Sequence, residues 1–314
     1  MKKTLYIYDK ASPHVHDSSE RYKGCVPLSE SGISKHFTVV NNPDSADYLY
    51  VGQIREDSNV PLFKSDGSEF EFLKGNEHRH IADMEGEGGW DIPEWLQKCI
   101  LTTMGPRKEF DVYKLFTRPT FSTMMVDMMG DHRTFDFPEK NGLGFRGCIN
   151  HKSRETMFHA LDMPVLDEKR IRREAYVNSG WAGSIPSGHQ IHTIYEELML
   201  RHPISLCPRG AGIDTTRIIE TCFYNRVPVM ITDKDFHLVG EDTHDVDFCF
   251  RIVGDISPED MANELVKVYN TDIDELKERG KAARKYFDTV IRKYFEDPTL
   301  YFMNWLKESN DRTK

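Results

Sequence analysis

The stretch Cys207-Pro208-Arg209-Gly210-Ala211-Gly212-Ile213-Asp214-Thr215-Thr216-Arg217-Ile218-Ile219-Glu220 holds residue types that could bind two linked phosphates. An apolar run, Ile204 to Cys207, leads into two glycines, after which Ile218, Ile219, Cys222 and Phe223 recur at helical spacing. That order predicts strand, tight turn and helix, with Asp214 or Thr215 as N-cap. The first N–H groups of such a helix, and the positive end of its dipole, attract phosphate oxygens. Gly210 and Gly212 let the backbone turn, Thr215 and Thr216 open the helix, and Arg209 and Arg217 supply charge-assisted hydrogen bonds. Glu220, one turn further, can accept from both hydroxyls of a ribose. The stretch has neither the Gly-Lys-Ser/Thr of a P-loop nor the GxGxxG spacing of a dinucleotide turn. A plain structural turn competes with the binding reading.

The elements that must position these residues follow from the pattern around them. Val227 to Ile231 is a second apolar strand, so residues 204–231 form a βαβ unit, expected to cross over right-handed into a parallel sheet. Upstream, Gly142 to Cys148 reads as a strand, and Ser153–Leu161 and Gln190–Arg201 as helices. Downstream come a strand at Phe248–Val253, then helices from Met261 and Ile273. In the first half, Leu5–Tyr8 and Tyr48–Val51 are β-prone, and the spacing of Trp95, Leu96, Cys99 and Ile100 predicts a helix over Ile92–Met104. Thr123 to Met129 is methionine-rich and reads as a buried helix at a domain seam. Strands alternating with helices indicate an α/β fold. A Gly/Pro-rich stretch places the domain junction near 138, giving domains 1–138 and 139–314. The aromatic tail, Tyr301 to Leu306, needs a surface to bury against; a C-terminal helix over about 290–314 that crosses back to the N-terminal domain would supply one.

At 314 residues the chain suits two domains, and 39% hydrophobic with 29% charged residues is an ordinary globular balance. A net charge of −10 argues against a nucleic-acid partner. Lys169 to Arg173 is a local basic cluster that reads as a solvated face. No apolar run reaches the roughly 20 residues of a transmembrane helix, and MKKTLYIYDK is too short in apolar residues for a signal peptide. The expected location is cytoplasmic. Six cysteines without a CxxC pair are expected to be reduced.

CPRGAGIDTTRIIETCFYNRVPVMITD, residues 207–233, resembles the signature of exostosin-like glycosyltransferases (glycosyltransferase family 47). Leu5–Asp9 is similar to that family's opening strand and Asn42–Val51 to its next conserved segment. Phe145-Arg146-Gly147 with Arg154 resembles its strand–turn–helix opening the second domain. The resemblance implies a GT-B architecture, two Rossmann-like α/β domains facing an interdomain cleft. It also implies a nucleotide-sugar donor, a UDP-sugar, in the C-terminal domain, and transfer with inversion to a glycan or glycoconjugate hydroxyl. Donor-binding positions become Arg146, Arg154, Arg209, Gly210, Gly212, Thr215, Thr216, Arg217 and Glu220. No metal or other cofactor is obligatory, because the arginines and the helix dipole can stabilise the leaving diphosphate. Paired subunits are plausible in the resembled family, so a homo- or hetero-oligomer is compatible with it.

Inversion needs a base on the acceptor side. His80-Ile81-Ala82 reads as a strand end, and the acidic, glycine-rich residues after it offer Glu85 and Asp83, then Glu87 and His80. An acidic loop without a role is the competing reading. His16 and Asp17 are minor base candidates. Two other functions stay open: a catalytically silent nucleotide-sugar-binding partner subunit, and another GT-B reaction such as nucleotide-sugar epimerisation.

Overall fold

A computed structural model of the chain describes residues 2–8, 28, 30–55, 75–85, 98–104, 114–119, 128–177, 188–210, 215–232, 236–241 and 244–311. By contacts the chain divides into two compact units. The first is Met1–Thr123, His237–Gly240 and Val290–Lys314; the second is Met124–Phe236 and Glu241–Thr289.

The first unit holds a six-stranded parallel sheet of β1 (Lys3–Ile7), β2 (Phe37–Val39), β3 (Tyr48–Arg55), β4 (His80–Glu85), β5 (Ile100–Met104) and β6 (Lys114–Arg118). Their order is β2-β1-β3-β4-β5-β6, and every pairing is parallel. The helix predicted to run to Met104 gives way to β5. Ile100 to Met104 pairs with β4 on one side and β6 on the other, and two rows of ladder bonds outweigh a short apolar spacing that helix and strand share. The core gathers Leu5, Ile33, Phe37, Tyr50, Ile81, Ile100 and Phe116 with Tyr294, Phe302 and Trp305 from the C-terminal helices Arg292–Glu296 and Pro298–Asp311. Asp297, between those helices, accepts from His36 at 3.0 Å and pairs with Lys35 at the end of the helix Glu30–His36.

The second unit holds β7 (Leu143–Gly147), β8 (Arg173–Val177), β9 (Ile204–Pro208), β10 (Val227–Thr232) and β11 (Phe250–Val253), ordered β11-β10-β9-β7-β8 and parallel throughout. Its helices are capped as the sequence dictates. Thr215 caps Thr216–Phe223, Ser257 caps Pro258–Tyr269, and Asp272 caps Ile273–Tyr286. The helix Lys152–Leu161 packs on Pro258–Tyr269, and Thr216–Phe223 packs on Ile273–Tyr286. Crossovers running in opposite directions from the middle of the sheet put these two pairs on opposite faces. Arg226, fully buried, donates to the carbonyls of Met199, Tyr224, Asn225 and Asp136 and so ties the segment before β7 to two helix ends.

Both units are therefore Rossmann-like parallel α/β structures, as the alternating pattern predicts. Of the methionine-rich segment, Met128 and Met129 are helical and buried, and the rest lies outside the described residues. Among the described residues no helix is long and apolar enough to cross a membrane. Among the described residues, Cys99, Cys148, Cys207, Cys222 and Cys249 are in no disulfide.

Candidate functional site

In open parallel sheets, ligands bind at the carboxyl ends of the strands where the winding direction reverses. In the second unit that reversal falls between β7 and β9. The two strands pair only through Leu143↔Ile204 and Gly144↔Ser205, the first two residues of each. Beyond that point their carboxyl halves part, and the backbone oxygens that would have completed the ladder need other donors.

Two predicted donor ligands supply them. Arg154, in the first turns of Lys152–Leu161, donates from Nη1 to Cys148 O at 2.9 Å and from Nε to Arg209 O at 3.0 Å. Arg217 donates from Nη2 to Arg146 O at 2.9 Å and from Nη1 to Glu220 Oε2 at 2.9 Å. It also lies 3.6 Å over the Tyr195 ring. Arg217 and Glu220, predicted to hold phosphate and ribose separately, thus form a part-buried ion pair with each other. Glu220 carries only 4% of its side-chain surface exposed. Burial, reinforced by the charge of Arg217, pushes the pKa of Arg154 below its ordinary value. The split between β7 and β9 is thus a place where guanidinium charge accumulates.

Arg209 follows β9 directly. Its N–H continues the ladder to Ile231 O at 2.9 Å, and its side chain is buried at this carboxyl edge. Gly210 is next, and a Cβ there would stand 3.0 Å from Arg154 Nη2, so a side chain at this position would press on the guanidinium. Thr215 accepts from Arg217 N through its hydroxyl at 3.4 Å, and Thr216 begins the helix. Gly212 lies outside the described residues, as does Asp214. Arg146 sits in β7 opposite Tyr176.

Sequence reasoning passed over three contributors. Tyr195, on the helix Gly188–Arg201, is the platform for Arg217. Cys148 supplies a carbonyl to Arg154, with its Sγ 3.7 Å from Nη1. His151 caps Lys152–Leu161 by accepting from Ser153 N at 3.1 Å. The Ser/Thr/Asp/Asn rule for caps does not flag a histidine, and nothing local connects Tyr195 to Arg217.

The base candidates occupy the first unit. Asp83 and Glu85 belong to β4, which runs three residues past the expected strand end at Ala82, so they stand at its carboxyl end rather than in a loop. Glu87 lies outside the described residues. His80 begins β4, at the amino end, and is fully buried with Nδ1 2.7 Å from Asn76 O. Burial pushes its pKa down to about 4. The ring is thus closed off from solvent at the end of the strand opposite Asp83 and Glu85.

His80 is neutral in the fold but titrates near 6.5 once unfolded, so the unfolded chain binds the extra proton between those values. Its contribution to stability is full above pH ~6.5 and declines as pH falls toward ~4, by about 2 kcal/mol at pH ~5. His80→Phe should flatten that part of the pH dependence of urea unfolding; an unchanged slope would contradict it. Arg154→Ala should cost about 2–4 kcal/mol in the same assay, since it strips a charged donor from buried carbonyls. Arg154→Lys, with one compact ammonium in place of a planar fork, should rescue little. Glu220→Ala should cost about 3–5 kcal/mol by leaving the Arg217 guanidinium without its carboxylate, whereas Arg217→Met combined with Glu220→Leu should recover most of the loss. A double variant as unstable as the single one would show that the pair is not coupled.

Among the described residues no group of three His, Cys, Asp or Glu side chains is arranged to hold a metal ion. No family model matches the chain, and no curated protein matches it. Several solved structures do. The C-terminal domain of a glycosyl transferase group 1 family protein from Francisella tularensis is 11% identical, with 49% of this chain and 87% of that one covered and a TM-score of 0.31. A glycosyltransferase from Rickettsia africae is 12% identical over 96% of this chain and 98% of its own, with a TM-score of 0.40. TarM from S. aureus, in complex with fondaparinux, alpha-GlcNAc-glycerol and UDP, is 13% identical with a TM-score of 0.41; the match covers 84% of this chain but only 52% of TarM. At these identities and scores the likeness bears on neither substrate nor mechanism.

Proposed function

We propose that this chain is a GT-B glycosyltransferase that moves a sugar from a nucleotide donor, a UDP-sugar, to a glycan or glycoconjugate hydroxyl with inversion. The observation that carries the reading is Arg209, buried at the carboxyl end of β9 beside the split between β7 and β9. A diphosphate seated there would meet the Arg209 guanidinium and the Thr215–Thr216 helix start. The two arginines that brace the split would add their field. As the donor's glycosidic bond breaks, negative charge grows on the diphosphate oxygens, and fixed cations in a water-poor setting stabilise it most at that moment. Glu220 acts by holding Arg217, and through it the turn, rather than as an independent ribose ligand. The acceptor's proton is assigned to Asp83 or Glu85, the carboxylates at the end of β4, with Glu87 as the remaining candidate.

A thermal-shift screen of the full chain against UDP, GDP, CMP and dTDP-linked sugars tests the donor assignment, because a ligand of the native state raises its melting temperature. UDP and a UDP-sugar are expected to raise it and the others to do so less. No response to any nucleotide would remove the basis of this function. Product analysis with donor alone separates transfer from epimerisation, which would proceed without an acceptor.

A further inference from the structure

The helix Lys152–Leu161 brings Arg154 to the donor turn, and a histidine closes its start. His151 accepts from Ser153 N through Nδ1 at 3.1 Å, and Ser153 Oγ lies 2.9 Å from the same nitrogen. A backbone N–H can only donate, so Nδ1 is the bare nitrogen of a neutral ring and the proton sits on Nε2. Serine, threonine and asparagine keep their capping oxygen at any pH near neutrality. Histidine is the capping side chain that gives up its acceptor there.

What the cap holds bears directly on the turn. Ser153 is buried, and a Cβ on Gly254 would stand 3.0 Å from its own, so the first turn of the helix has little room to shift. The next residue, Arg154, donates to Cys148 O and Arg209 O. Gly210 lies against Arg154 Nη2 and also against Asn150, the residue before His151, whose Nδ2 would be 3.5 Å from a Cβ at Gly210. Among the described residues, the charged and titratable groups around the cap are Lys152, Arg154 and Glu155 on its own helix and Cys148 after β7. Arg209 follows β9, and Asp255, after β11, pairs with Lys152 at 3.0 Å.

A second proton on the ring goes to Nδ1. It removes the acceptor, orphans the Ser153 N–H and sets a positive charge at the positive end of the helix dipole. Both effects oppose the geometry that fixes Arg154. We propose that His151 is a positioning residue for the donor turn, acting through Arg154 while its ring is neutral and released when the ring is protonated, so that mild acid weakens donor binding. The response of the turn depends on the cap alone; its bearing on a nucleotide sugar rests on the function proposed above.

NMR of the isotope-labelled full chain between pH ~8 and pH ~5 tests it. The His151 ring should be the Nε2–H tautomer at the upper end, and the Ser153 and Gly210 amide signals should move with the midpoint of that ring. In His151→Asn, which caps without titrating, both amides should hold still through the same range. UDP-glucose keeps a constant charge here, so its affinity reports on the protein. That affinity should weaken about 2- to 30-fold across the His151 midpoint in the wild type, the worth of a cap, and stay flat in His151→Asn. An Nδ1–H tautomer in the neutral ring, a Gly210 amide indifferent to the His151 midpoint, or equal pH dependence in the variant would overturn the proposal. A wild type that binds no nucleotide at the upper end would remove the donor reading, and the Gly210 titration would still decide whether the turn answers to the cap.

Discussion

Arg209→Met is expected to weaken binding of UDP or a UDP-sugar by about 10- to 150-fold, the worth of one hydrogen bond to a charged group. Transfer should be lost with it. Methionine retains most of the buried stem volume, so the variant isolates the charge. The turn should keep its shape, because its backbone is held by groups other than the Arg209 side chain. The Arg209 N–H donates to Ile231 O, and its carbonyl accepts from Arg154 Nε. Melting temperature without ligand should therefore stay close to that of the wild type while the nucleotide-induced shift disappears. Calorimetric titration checks the affinity directly. Wild-type affinity in Arg209→Met would sink the donor assignment. Lost affinity together with a collapsed melting temperature would instead mark Arg209 as structural.

Removing the end of the chain should have the largest effect on stability. Phe116, in β6, is ringed by Phe302 and Trp305 at 5.1 Å each, Tyr294 at 6.0 Å and Tyr301 at 6.2 Å between ring centroids. Phe302 and Tyr294 are fully buried. Phe302→Ala alone leaves a cavity among close-packed rings and should cost about 3–5 kcal/mol. Deleting residues 295–314 removes Tyr301, Phe302, Trp305 and Leu306 together and leaves Tyr294 as the one remaining member of the four rings around Phe116. It also removes Asp297, the partner of Lys35 and His36. That loss approaches the whole margin of a typical domain, about 5–15 kcal/mol. Scanning calorimetry should show the first unit losing its transition in the deletion variant. An unchanged thermogram would mean that the aromatic cluster contributes little in solution.

Much of this architecture is legible in the chain itself. Apolar runs marked β1, β3, β7, β9 and β10, and Asp214 or Thr215 marked one helix start; Ser257 and Asp272 cap the helices that the pattern placed from Met261 and Ile273. The βαβ unit around Arg209 was readable for the same reason: strand, turn and helix are dictated by neighbours within a few residues. Ile100 to Met104 was misread because helix and strand compete closely over so short an apolar run, and only the flanking strands break the tie.

What the sequence could not say is which side chains meet. Arg217 has Glu220 within reach along its own helix, but its bonds to Arg146 O and the Tyr195 ring exist only because β7, β9 and the helix Gly188–Arg201 come together. Arg154 braces Cys148 and Arg209 because the β7–β9 ladder stops after two residues, a matter of register between strands far apart in the chain. Backbone conformation is decided largely by near neighbours. The partner of a charged side chain is decided by which carbonyls and rings the tertiary fold leaves within a few ångströms of it.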